Sequence, residues 1–416
     1  KARRGMTIRN LEHALRPDSL AVIGASEEPG SAGRKLTENI LDGGFSGPIH
    51  LVNPKHATIL GRDAYASIAD LPEAPSLGVV VTPPGSVPPL IGELGAKGTR
   101  AAVVITAGLG KELRQAMLNA ARPHCLRIIG PNCLGIWVPE IGLNANFGMS
   151  RPEPGKLAFL SQSGALVSGI LDWAASRGIG FSSVVSMGDM ADVDAGDLLD
   201  YFAADASTAA ILLYLETIPA ARKFMSAARS AARAKPVVVI KSGRSAASAR
   251  AAATHTGALA GSDATVEAAF RRAGLVRVDG LEELFNAAET LTCLDPVGGN
   301  DLLILTNGGG AGVLAVDDLV KSGGSLAKLP AELVAKLDAI LPATWSRANP
   351  IDIIGDATPA RYRQAMDLVL EHAQASAILV MNCPTALASS EGAADAVIES
   401  VARRKESARV PPILTN

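Results

Sequence analysis

Short runs of apolar, β-branched residues alternate with helix-like segments along the whole chain. Ser19–Ile23, Pro48–Val52, Leu77–Val81 and Ala101–Ile105 are such runs. Between them, Lys35–Leu41, the Pro88–Lys97 stretch and Lys111–Arg122 read as helices. Strands that are apolar throughout, rather than at alternate positions, predict a parallel sheet buried on both faces. Alternation of strand and helix predicts an α/β fold. Residues 1–150 therefore read as a Rossmann-type domain.

The pattern restarts after Arg151-Pro152-Glu153-Pro154-Gly155, a proline-rich break. Leu157–Leu160, Phe181–Val185, Ala210–Tyr214 and Val237–Ile240 follow as strands, and a second break lies near Asp295–Gly299. This divides the chain into 1–150, 151–297 and 298–416. The last two are siblings. Residues 157–178 align without gaps on 302–323, each reading strand, small-residue turn, helix. Ala210–Ile218 resembles Ala377–Thr385, and Lys235–Gly243 resembles Val410–Asn416. On this alignment the third domain lacks its last helix, so the chain is expected to be part of a longer polypeptide.

Composition narrows the function. A chain of 416 residues needs more than one core. With 48% hydrophobic and 19% charged residues, disorder is excluded as the main state. No run of eighteen apolar residues is present, and no apolar segment follows the basic Lys1–Met6, so neither a membrane span nor a signal peptide is expected. A net charge of −2 and 4% aromatics argue against a nucleic-acid partner. Cys125, Cys133, Cys293 and Cys383 show no CxxC spacing, which suits free thiols in a reducing cytoplasm. No metal-ligand spacing stands out.

The candidate chemistry lies where strands end. The first strand runs into a turn from Gly24 to Gly33 that contains Ala25, Ser26, Gly30 and Ser31 and opens a helix. Such a turn presents free N–H groups and a positive dipole end to a phosphate. A tight βα turn would need the same glycines, but the position after strand one favours a nucleotide site. The spacing is not GxGxxG, and Lys55 follows strand two where a dinucleotide site would place an acid. That disfavours NAD(P) and permits coenzyme A, although Lys55 also reads as a solvated loop charge. Ile105-Thr106-Ala107-Gly108 and Gly130–Gly135, with Asn132, end further strands. Ser161-Gln162-Ser163-Gly164 is a second anion-binding turn by the same physics, with a capped helix as its plain alternative. It is not a hydrolase elbow, because Ser161 stands where glycine would be. His255 lies among small residues in Thr254–Gly261, after the Ser- and Ala-rich Ser242–Ala253. Glu216 ends another strand and is placed to fix an imidazole tautomer. Together they suggest a phosphohistidine site.

These motifs occur in an order that resembles the α subunit of NDP-forming acyl-CoA synthetases, among them ADP-forming acetate–CoA ligase and, more distantly, succinyl-CoA synthetase. The order is the Gly24–Gly33 turn, Val52-Asn53-Pro54-Lys55, Ile105–Gly108, Gly130–Gly135, Ser161–Gly164, Gly188–Leu199, Tyr214-Leu215-Glu216 and Thr254–Gly261. The resemblance covers essentially the whole chain. It implies a CoA-binding Rossmann-type domain followed by two flavodoxin-like ligase domains, the last incomplete. It implies that His255 is phosphorylated, that Glu216 steadies it, and that Ser161, Gln162, Ser163 and Gly164 bind the phosphate. Coenzyme A is implied at Gly24, Ala25, Ser26, Gly30, Ser31, Gly33, Lys55, Thr82, Pro83, Pro84, Ile105, Thr106, Ala107, Gly108 and Asn132. ATP/ADP and Mg2+ belong to an ATP-grasp subunit or fused domain, and a carboxylic acid is the remaining substrate of an oligomeric enzyme. Thr106-Ala107-Gly108 replaces the Thr-Glu-Gly of succinyl-CoA synthetases, and Leu166–Gly169 is small and apolar, so the acid is expected not to be succinate. The rival reading is the regulatory ligase-like module of a GNAT-fused lysine acetyltransferase, which has no need of His255.

Overall fold

The computed structural model describes residues 8–245, 247–248, 262–293, 297–406 and 410–415. These form two compact units that part at Thr292/Cys293. The first unit holds two sheets. In the first sheet, β1 (Leu20–Ile23), β2 (Ile49–Val52), β4 (Arg62–Tyr65), β5 (Leu77–Val80), β6 (Ala101–Val104) and β7 (Arg127–Ile129) run parallel. The order is β3-β4-β2-β1-β5-β6-β7, with β3 (Thr58–Ile59) antiparallel to β4. All residues of β1, β5 and β6 are buried, which is why each is apolar throughout. The order reverses between β1 and β5, and ligands of such sheets bind at the carboxyl ends of the strands beside that point.

The second sheet has the order β14-β13-β12-β10-β11-β8-β9. Its parallel strands are β10 (Pro154–Ser161), β11 (Phe181–Ser186), β12 (Ala210–Leu215), β13 (Val237–Lys241) and β14 (Val276–Arg277). The switch point lies at β10, where β11 and β12 diverge to either side. The hairpin β8 (Gly135–Val138) and β9 (Leu143–Asn146) closes the far edge by antiparallel pairing to β11. This differs from the expected boundary at residue 150: the first sheet ends at Ile129, and the next strands serve the second. Burial explains the difference. Trp137 packs with Phe159, Val167 and Val184 of the second sheet's layer. Ile136, Val138 and Leu143 join a core that also contains Leu36, Leu160 and Phe202, so the two sheets share one interior.

In the second unit, β15 (Asp301–Thr306), β16 (Ser325–Leu326), β18 (Ala377–Met381) and β19 (Ile413–Thr415) run parallel in the order β16-β15-β18-β19, and β17 (Ile351–Asp352) pairs with β15. β15, β18 and β19 stand to one another as β10, β12 and β13 do, as the repeat predicts. Among the described residues no helix is long and apolar enough to cross a membrane.

Candidate functional site

At the first switch point, Gly24 leaves β1 at φ +95, and a Cβ there would lie 2.6 Å from the carbonyl oxygen of Val81. A Cβ on Gly33 would lie 2.6 Å from the Gly24 oxygen, so the helix Ala32–Asp42 starts against the strand end with no room for a side chain. Ser31 caps this helix, its Oγ accepting from the Arg34 N–H at 3.1 Å and donating to the Glu28 oxygen at 2.8 Å. The Ser26 hydroxyl accepts from the Glu28 N–H, so it shapes the turn. Asn53 Nδ2 donates to the Ala25 oxygen at 2.8 Å, and Asn53 Oδ1 accepts the Lys55 N–H. Lys55 itself is exposed beside the turn. Glu27, which sequence reasoning did not single out, accepts from the Leu60 N–H and ties the turn to the β3–β4 hairpin.

The opposite wall is hydrogen-bonded across its loops. Thr106 Oγ1 donates to the Thr82 oxygen at 2.7 Å, and the Asn132 N–H donates to the Thr106 oxygen at 3.0 Å. Pro84 opens a short 3-10 turn after Pro83, and Gly108, at φ +78, faces it so that an added Cβ would lie 3.8 Å from the Pro84 ring. Ile105 is buried, whereas Ala107 faces solvent. The residues expected to meet coenzyme A thus gather at the carboxyl ends of β1, β2, β5, β6 and β7.

At the second switch point, Ser161 and Ser163 clasp each other: Ser161 Oγ donates to the Ser163 oxygen at 2.8 Å and accepts from its N–H at 3.1 Å. Ser163 caps the helix Gly164–Ala175, whose first turn carries the N–H groups that an anion would meet. Gln162 does something else. Its Oε1 accepts from the backbone N–H of Glu216 at 2.6 Å and of Thr217 at 2.9 Å, and its Nε2 donates to Thr217 Oγ1 at 3.1 Å. Its amide is therefore committed to fixing the end of β12 from which Glu216 projects. Tyr214, Glu216 and Lys241 lie together there. Burial pushes the Tyr214 hydroxyl up, as does the Glu216 charge. Burial and the nearby Arg277 lower the Lys241 ammonium, against the pull of Asp263 and Glu216. His255 lies outside the described residues. The segment that carries it leaves from β13, beside β12, and rejoins at Ser262, the N-cap of the helix Asp263–Ala273.

The two switch points are joined by the loop between β7 and β8. The Leu134 N–H donates to Ser186 Oγ at 2.9 Å, and Ser186 pairs in register with Ser161. Gly164 faces the Leu134 side chain. Cys133 is sealed in this loop, and burial pushes its thiol up to about 12.

The Gly188–Leu199 run, found by resemblance but given no role, is the other bridge. The N–H groups of Asp189, Ala191 and Val193 donate to the oxygens of Pro131, Gly130 and Ile128, so the run lies along the outer side of β7. Asp192 accepts from Arg127 Nε at 2.9 Å and the Ile128 N–H at 2.8 Å. Asp194 caps the helix Ala195–Ala204 in a capping box with Asp197. Asp197, 1% exposed, accepts from Arg127 at 3.1 Å and Lys223 at 2.6 Å. Burial pushes its carboxyl above the usual range, and Lys223 and Arg127 pull it back. Asp189 accepts from Arg114 at 2.7 Å and Asn132 at 3.1 Å.

The second unit repeats the turn without the acid. Thr306 and Gly308 reproduce the Ser161–Ser163 clasp, and Asn307 holds Cys383 as Gln162 holds Glu216. Cys383 occupies the position of Glu216 in the repeat.

Three family descriptions match the chain in succession: a CoA binding domain over 18–139, a succinyl-CoA ligase like flavodoxin domain over 154–291, and a ligase-CoA domain over 302–410. The chain is 41% identical over 394 residues to acetate–CoA ligase [ADP-forming] I of Archaeoglobus fulgidus, covering 93% of this chain and 57% of that protein. It is 38% identical to the α subunit of acetate–CoA ligase [ADP-forming] I of Pyrococcus furiosus, covering 97% of this chain and 89% of that one. The dinucleotide-forming acetyl-coenzyme A synthetase 1 of Ca. Korarchaeum cryptofilum, solved with phosphate and ADP, superposes with a TM-score of 0.91 at 35% identity, over 97% of this chain and 88% of that one. The chain spans about half the length of several curated relatives, 57% and 50% for the Archaeoglobus and Methanocaldococcus jannaschii proteins. With three domain families matched in succession and an α subunit matched over most of its length, the chain belongs to the ADP-forming acyl-CoA ligase family.

Proposed function

We propose that this chain is the CoA-binding and phosphohistidine-carrying part of an ADP-forming acyl-CoA synthetase: acid + CoA + ATP = acyl-CoA + ADP + phosphate. The observation that supports the reading is the bridged pair of switch points: the Gly130–Gly135 loop bonds Thr106 on one side and, on the other, Ser186, which is in register with Ser161. The imidazole of His255 attacks the γ-phosphorus of ATP and ADP leaves. A carboxylate oxygen then takes the phosphoryl group from the imidazole, giving an acyl phosphate. The CoA sulfur attacks its acyl carbon, the carbon–oxygen bond to phosphate breaks, and phosphate leaves with the thiol proton. Glu216, held by Gln162, orients the imidazole. The helix end at Ser163–Gly164 stabilises the phosphoryl oxygens with N–H groups that need no reorganisation.

ATP and Mg2+ are held by an ATP-grasp partner or fused domain. The α-subunit designation of the Pyrococcus relative and the greater length of the Archaeoglobus protein support this division. The acid is a monocarboxylate, in keeping with Ala107 in the CoA crevice and with relatives named for acetate and 4-hydroxybutyrate. Coenzyme A, not NAD(H), occupies the first domain. The free thiols of Cys125, Cys133 and Cys383 suit a reducing cytoplasm.

The test is transfer of label from γ-labelled ATP to the complete enzyme. An acid-labile, base-stable label that is lost with turnover in His255→Asn is expected. A variant that keeps both label and turnover overturns the assignment.

A further inference from the structure

Of the four aspartates in Gly188–Leu199, three are committed to holding the chain together: Asp192 and Asp197 bind Arg127, and Asp194 caps a helix. Asp189 differs. It belongs to the second sheet's strand–helix connection, three residues beyond Ser186, yet its carboxylate binds Arg114 and Asn132, on the segments that follow β6 and β7 of the first sheet. One oxygen takes Arg114 Nη2, in the first turn of the helix Lys111–Ala121 that follows Ile105–Gly108. The other takes Asn132 Nδ2. The Asn132 N–H holds the Thr106 oxygen, and Thr106 holds the Thr82 oxygen. A single carboxylate thus anchors a chain of hydrogen bonds across the crevice loops. The Asp189 N–H donates to the Pro131 oxygen, in the same loop as Asn132, and on the second sheet's side Ser186, three residues before Asp189, stands in register with Ser161 of the anion turn.

We propose that Asp189 is a positioning residue for the CoA step, setting the crevice loops in register with the anion turn so that the CoA sulfur meets the acyl carbon. This rests on the reading of the chain as an acyl-CoA synthetase. Both carboxylate oxygens of Asp189 are engaged as acceptors, one by Arg114 and one by Asn132, so it acts through the loops it holds. The thiol proton leaves with phosphate, as in the balanced step above. Because Asp189 touches neither Gln162 nor the end of β12 in any described hydrogen bond, phosphorylation of His255 does not depend on it. A merely structural residue would affect both half-reactions through loss of folded protein.

The experiment uses the complete enzyme and measures two half-reactions: labelling by γ-labelled ATP, and acyl-CoA formation over a CoA titration. Asp189→Asn keeps the shape and the Asn132 contact but removes the charge that holds Arg114. The expected result is an unchanged labelling rate and a CoA KM raised about tenfold, the range for one charge-assisted hydrogen bond at a partly exposed site. Arg114→Gln is the second variant, in case the first folds poorly. It should raise the CoA KM similarly, and the double variant should be no worse than either single one, because both act through one pair. An unchanged CoA KM in both variants, equal losses in both half-reactions, or additive effects overturn the proposal. Failure of the wild-type enzyme to label at His255 would instead overturn the reading of the reaction, while the CoA titration would still report on Asp189.

Discussion

Replacing Gln162 with leucine removes the acceptor shared by the Glu216 and Thr217 N–H groups, at 2.6 and 2.9 Å, and the donor to Thr217 Oγ1. Orphaning a buried backbone N–H costs about 1–3 kcal/mol. Both residues are half-buried, so water partly substitutes and the low end applies to each, about 2 kcal/mol together. At about 2–4 °C per kcal/mol for a unit of this size class, the thermal midpoint should fall by several degrees. The kinetic effect should be larger than the loss of stability suggests. Gln162 fixes the β12 end that carries Glu216, and a displacement of about 1 Å at a positioning group costs on the order of a hundredfold. Gln162→Glu provides the contrast: it keeps the acceptor, so the midpoint stays near wild type, but it adds a negative charge beside the anion turn. Both variants should slow His255 labelling by ATP while leaving the CoA KM within about twofold, since Gln162 makes no contact with the first sheet's loops among the described hydrogen bonds. Labelling of Gln162→Leu at the wild-type rate, with the midpoint lowered, would refute the argument that this amide places Glu216.

Gly33→Ala should weaken CoA binding and lower the midpoint, because the new methyl would lie 2.6 Å from the Gly24 oxygen and must push the helix off the strand end at a cost of about 1–3 kcal/mol; calorimetric titration with CoA that matches wild type would count against the crevice. The hydrogen bond from Arg277 to Asp263 holds that carboxyl below its usual range, so its contribution to stability is present above about pH 4 and is lost as pH falls through the folded value. Acid unfolding of Asp263→Asn should accordingly show a shallower loss below pH 4 than wild type, and coincident acid limbs would contradict the sign.

How much the sequence reveals depends on how far apart the interacting residues lie. β1, β5 and β6 are legible because each is apolar at every position, the mark of a strand covered on both faces. The β8–β9 hairpin is not. Gly135–Val138 falls inside the stretch 1–150 expected for the first domain, and only packing of Trp137 with Phe159 and Val184 and its pairing to β11 assign it to the second sheet. The anion turns are legible from their small residues and their place after a strand. The role of Gln162 is not, because nothing in Ser161–Gly164 shows that its amide reaches a strand end more than fifty residues away. The duties of Asp189, Asp192 and Asp197 likewise depend on Arg114 and Arg127, far upstream. Long-range partners of polar residues leave no local periodicity to read.

The run along the outer side of β7 has a consequence for dissecting the protein. β7 is the last strand of its sheet, and such an edge, if bare, is a template for pairing with other chains. Here Val193 occupies the Ile128 oxygen and Asp192 occupies the Ile128 N–H, so the guard on that edge is encoded about sixty residues downstream, inside the next domain. A piece cut at the proline-rich Arg151–Pro154 segment would lose this guard and the strand that β8 pairs with. Its natural fate would be self-association through β7 and an orphaned hairpin. Separability in sequence and separability in solution therefore part company here: the smallest autonomous piece carrying the CoA crevice runs on at least through Asp197 and the sheet behind it.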